Sequence, residues 1–135
     1  MTIPISDLEG ATDEVVDTLA QRGIRDNVQL IKAAATPALR KELARLCGCE
    51  NADILHLANR SDLARVRGIS GVYSDLLEIA GVVTVKELAS RRADQLFAKI
   101  NETNERDKLT TKPPTQSMVQ NWIAQAKALP PILSY

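Results

Sequence analysis

The chain has 135 residues, 44% apolar and 25% charged, the composition of one soluble globular domain or of two small modules. Lys+Arg and Asp+Glu number 17 each, so no net field draws nucleic acid or an anionic membrane, and a 3% aromatic content argues against base-stacking sheets and aromatic-lined clefts. Met1–Asp7 lacks the basic and apolar regions of a signal peptide, and no apolar run reaches the ~18 residues of a membrane span, so a cytoplasmic protein is expected.

Along the chain, apolar spacing and capping residues predict helices near 13–22, 27–34, 37–46 and 52–59. A short helix near 61–66 follows, then helices near 71–80, 85–92, 95–106 and 116–128. Gly23 and Gly81 follow stretches of helical spacing and suit the left-handed residue that closes a helix. Asp26 with Gln29, and Thr84 with Glu87, have the spacing of a capping box. Thr36 and Asp94 suit the next N-caps, and Pro37 fits a first helical turn. Thr110-Thr111-Lys112-Pro113-Pro114 breaks any helix before the last one. Val82–Val85 is a short β-prone run, but Gly81 and the capping box frame it.

These signals repeat. Laying residues 8–30 on 66–88 matches Gly10 with Gly68, Asp17 with Asp75, Leu19 with Leu77, Gly23 with Gly81 and Leu30 with Leu88. A loop glycine, a helix-ending glycine and two successive caps recur in the same order, which points to an internal duplication.

Val66-Arg67-Gly68-Ile69-Ser70-Gly71-Val72-Tyr73, a tight apolar-x-Gly-apolar-x-Gly loop between helices, resembles the helix-hairpin-helix superfamily. With Trp122-Ile123-Ala124-Gln125-Ala126-Lys127-Ala128-Leu129-Pro130, the whole chain is similar to a domain-of-unknown-function family of tandem helix-hairpin-helix proteins from cyanobacteria and other bacteria. The resemblance implies an all-α fold of two tandem modules sharing a core, over 1–59 and 60–112. A C-terminal helix and apolar tail, 113–135, would pack on them.

It also implies a mechanism for nucleic-acid binding, in which backbone N–H groups at a hairpin hold a phosphate without reading bases. By position, Gly68, Ile69, Ser70 and Gly71 would form that hairpin, with Arg60, Arg65 and Arg67 beside it. Ser70 stands where the superfamily usually has a second glycine, and Gly71 follows instead. In the first copy Glu9, Asp13 and Glu14 surround the loop and oppose a phosphate, so that copy reads as structural. The halves differ in charge: residues 1–59 hold 6 basic and 9 acidic residues, residues 60–135 hold 11 and 8.

Little in the chain supports catalysis. Cys47-Gly48-Cys49 lacks the further ligands of a zinc site, and Gly48 suits the end of a helix. His56, in the apolar stretch Asp53–Ala58, reads as a partly buried helical residue, and no phosphate loop or nucleophile elbow is visible. Neither enzyme activity nor a cofactor or metal is expected. Trp122 shares an apolar helix face with Val119, Ile123 and Ala126; with Ile132, Leu133 and Tyr135 it either docks on the modules or anchors in a partner. The leading reading is a non-catalytic adaptor that binds another protein. The alternative is weak, sequence-independent nucleic-acid binding through the second hairpin.

Overall fold

A computed structural model describes residues 1–69 and 71–135. A 3-10 turn over Ile5–Asp7 precedes eight helices: α1 Asp13–Gln21, α2 Asn27–Ala33, α3 Pro37–Cys47, α4 Asn51–Leu63, α5 Val72–Ile79, α6 Val85–Ala89, α7 Ala93–Asp107 and α8 Gln116–Ala128. The fold is all-α, and no strand occurs among the described residues. No helix in them is long and apolar enough to cross a membrane.

One local architecture occurs twice, and the matched residues build it. Gly10 at φ +89° and Gly68 at φ +94° turn the chain into α1 and α5. Those helices end in the same way. Gly23 and Gly81 have positive φ, and the following amides of Ile24 and Val82 reach back to the carbonyls of Leu19 and Leu77, at 2.9 and 2.8 Å. The caps of α2 and α6 also correspond. Gln29 N–H donates to the Asp26 side chain and Glu87 N–H to Thr84 Oγ1, at 2.8 and 3.1 Å. In return the side chains of Gln29 and Glu87 accept from Arg25 N–H and Val83 N–H, one residue before each cap.

The helices then pair alike. Within the first half α1 packs on α3, and α4 on both α2 and α3; within the second half α5 packs on α7, and α8 on both α6 and α7. α8 thus holds in the second half the place that α4 holds in the first.

Three expectations are corrected. The predicted helix at 52–59 runs on through the buried Arg60 to Leu63 as α4, and the separate helix predicted at 61–66 does not form, residues 64–66 lying past the end of α4. α7 starts at Ala93 with Arg92 in the cap position, and the Asp94 carboxylate meets the Arg92 guanidinium instead of capping. The single shared core is two clusters. One gathers apolar side chains between Ile5 and Ala58, the other those between Leu63 and Ala126. Asn27 of α2 and Arg60, Ser61 and Asp62 of α4 are buried polar residues, and the last three lie in the chain between these stretches.

Asn27 is fully satisfied there. Its side chain accepts from Ile3 N–H and donates to the Met1 and Ser61 carbonyls, at 2.7, 3.0 and 3.1 Å, so it ties the first residues to α2 and α4. The last residues cross the other way. Leu133 packs on the first cluster, Ser134 N–H donates to Ala35 O at 2.7 Å, and Arg40 donates to Ser134 O at 2.7 Å. Tyr135 hydroxyl donates to Asn59 at 2.9 Å, and its ring lies under the Arg40 guanidinium.

Candidate functional site

Three places could act on a ligand: the Gly68 turn, the seam between the halves, and a groove under the last residues. The turn rests on α8. A Cβ at Gly68 would stand 3.0 Å from Trp122 Nε1, so glycine is needed both for the positive φ and for the close approach. Trp122 is only 2% exposed and stacks at a tilt on Tyr73, ring centroids 5.5 Å apart. Gln125 closes the turn from below, accepting from Arg67 N–H and donating to Arg67 O at 2.9 and 3.2 Å. Ile69 is buried and its N–H donates to Val66 O. Of the hairpin residues proposed to hold a phosphate, Ile69 thus has its N–H engaged, as does the preceding Arg67. Ser70 lies outside the described residues.

Two of the three arginines assigned to this hairpin face elsewhere. Arg60 lies in the seam, its side chain 8% exposed, bonded to Asp75 at 2.7 Å and to Glu78, with Glu9 at 3.9 Å. Burial by itself would lower its pKa, but the Asp75 and Glu78 hydrogen bonds outweigh burial and hold the guanidinium above its ordinary value. Arg65 pairs with Asp62 at 2.9 Å and donates to Pro130 O at 2.6 Å. Asp62 in turn accepts from Val85 N–H at 2.9 Å, linking α4 to the start of α6. Arg67 alone of the three is exposed at the turn. As a phosphate site the second hairpin keeps one of its three expected cations.

The seam holds a cluster that the sequence reading missed. His56 Nε2 meets Glu9 at 2.5 Å and Nδ1 lies 3.6 Å from Glu78, so a carboxylate stands at each ring nitrogen. Glu9, His56 and Glu78 bring ligand-type atoms within 4.8 Å of one another. The carboxylates of Glu9 and Glu78 stand at opposite nitrogens of the His56 ring, and the Arg60 guanidinium also sits on Glu78. His56 also supports the first turn, since a Cβ on Gly10 would lie 3.1 Å from its ring. No local signal could reveal this cluster, because Glu9, His56 and Glu78 come from separate elements.

The groove lies between α6, α8 and the last residues. It has a volume of about 700 Å³, and Val85, Ala89, Ala126, Leu129, Ile132 and Leu133 supply its apolar walls. Of the tail residues named from the sequence, Ile132 and Leu133 are half-buried and Tyr135 is 65% exposed. Trp122 does not line the groove and lies inside the second cluster.

Residues 9–129 match the model of a family described as Domain of unknown function (DUF4332). The chain belongs to this family. No curated protein and no solved structure matches it. The match begins at Glu9, in the first turn, and ends at Leu129, so it takes in the seam and the eight helices found among the described residues of the DUF4332 chain.

The cysteines of the DUF4332 chain sit at the end of α3. Gly48, at φ +64°, closes the helix as the spacing predicts, and Cys47 and Cys49 are free and half-buried against the first cluster. Burial pushes both thiols above their ordinary pKa; for Cys49 the neighbouring Cys47, Asp53 and Glu50 add to it. A raised pKa means less thiolate near neutral pH. Iodoacetamide at pH 7.5 is therefore expected to alkylate both residues more slowly in the folded chain than in the urea-unfolded one. Equal rates by mass spectrometry would contradict the burial argument.

Proposed function

We propose that this DUF4332 chain is a non-catalytic binding module of helix-hairpin-helix type, an adaptor that works in the cytoplasm and whose ligand is another protein. One observation carries the choice over nucleic acid: Arg60 and Arg65 close ion pairs with Asp75, Glu78 and Asp62 instead of facing outward beside the Gly68 turn. Sequence-independent DNA binders commonly neutralise about 6–10 phosphates, and this hairpin keeps Arg67 for that work. The acidic first turn, with Glu9 bound to His56, adds none.

The helix-hairpin-helix assignment is supported by the recurring turn glycines and by the equal pairing of helices in the halves. Partner recognition has material in the exposed Tyr135 and in Ile132 beside it. Trp122 is less suited to it, because using it as an anchor requires opening the second cluster.

The test is affinity capture from native lysate, with and without nuclease, followed by reconstitution with the recovered protein. A stoichiometric partner that survives nuclease and rebinds the purified chain is expected. The second reading, weak backbone contact through the exposed Arg67, is measured by titrating labelled duplex. A single contact gives a log K against log salt slope of about −0.9, and binding should vanish near about 150 mM salt. Submicromolar affinity at that salt, lost on Arg67→Glu, would replace the adaptor reading with the nucleic-acid one.

A further inference from the structure

We propose that the groove between α6, α8 and the last residues binds a small amphipathic carboxylate, with its alkyl body along the apolar walls and its head between Lys86 and Lys127. The volume of about 700 Å³ falls within the range of about 300–1,000 Å³ typical of small-molecule sites. The floor is ordered: Val85 and Ala126 are buried parts of the packed helices. The opposite wall is held by the Ser134 bonds to Ala35 and Arg40 and by the Arg65 bond to Pro130 O.

Charge selects the ligand. The acidic and basic side chains lining the groove are Asp62, Arg65, Lys86 and Lys127, and the Tyr135 phenol lines it too. Asp62 and Arg65 are in contact at 2.9 Å and offset each other. Lys86 and Lys127 remain, both exposed, and neither has a carboxylate partner among the described residues. An apolar slot with two such cations at its rim fits an apolar body bearing a single anionic head. A neutral lipid would leave both ammonium groups without a partner. A nucleic-acid phosphate would leave the apolar walls facing water.

Decanoate is the probe. Calorimetric titration of the full chain with sodium decanoate, kept below its micelle concentration, is expected to show one saturable site. In the same titration the amide resonances of Val85, Lys86, Ala89, Ala126 and Lys127 should move together. Decanol, which has the chain without the charge, should bind about tenfold more weakly. Lys86→Glu combined with Lys127→Glu should weaken decanoate by about tenfold or more. Both lysines are exposed, so thermal unfolding of that variant should be unchanged. Ile132→Glu, which sets a carboxylate into the groove wall, should also weaken binding. The proposal is overturned by heats that do not saturate, by shifts scattered over the surface, by decanol binding as tightly as decanoate, or by unchanged affinity in the double reversal. Ile132 and Tyr135 serve both readings, but the titration uses the purified chain alone, so it and the lysate capture can fail separately.

Discussion

Trp122→Ala is expected to cost about 3–5 kcal/mol, the usual range for deleting a large aromatic from a packed core. The ring is 2% exposed, stacks on Tyr73, and lies under Gly68 with Nε1 3.0 Å from where a Cβ would be. Removing it therefore takes away transfer free energy, an aromatic contact and the support of the turn together. Against a total stability of about 5–15 kcal/mol this is a large fraction, and the melting temperature should fall by about 10–15 °C. Gly68→Ala should destabilise through the same contact from the other side. It puts a methyl group against the indole and holds a non-glycine residue at φ +94°. If Trp122→Ala lowers stability by less than about 1 kcal/mol, the ring does not support the turn, and the partner-anchor role for Trp122 regains its standing.

The second large effect is expected at Arg60. Its side chain is 8% exposed and joins Asp75 and Glu78 of α5 to α4, with Glu9 of the first turn 3.9 Å away. Arg60→Met leaves three carboxylates facing one another without their cation. Asp75 and Glu78 are 40% and 36% exposed and can partly rehydrate. The loss should thus lie between the ~1 kcal/mol of an exposed pair and the ~3–5 of a fully buried one. Adding Asp75→Asn and Glu78→Gln to Arg60→Met should recover most of the loss, because the penalty comes from unpaired charge rather than missing volume. Urea unfolding of the single and triple variants measures both. A triple variant no more stable than Arg60→Met would mean that Arg60 contributes by packing alone.

Much of the helical framework was legible from local chemistry. Gly23, Gly48 and Gly81 end helices because a left-handed residue is needed there, and Thr36, Asp26 and Thr84 begin them by accepting an orphan N–H. Such signals act over three to five residues and survive in a linear reading. At Arg60 and Asp94 the same reasoning failed. A charged residue normally marks an exposed or terminal position, yet burial with a carboxylate partner keeps Arg60 inside α4. At the start of α7, the neighbouring Arg92 takes the Asp94 carboxylate away from a capping role.

By itself, then, the sequence determined the class of fold, the order of the helices and the two-fold recurrence of turn, cap and helix end, all of which follow from backbone hydrogen bonding over a few residues. Only the tertiary structure decided what the charged residues do. Arg60 finds Asp75 and Glu78, His56 finds Glu9, and Leu133 finds the first cluster, across separations that no periodicity encodes. Charge acts through space, and which cations remain free depends on which carboxylates the fold brings beside them. Three arginines beside a turn look like a phosphate site in one dimension; in three, two of them hold the molecule together and Arg67 remains at the surface.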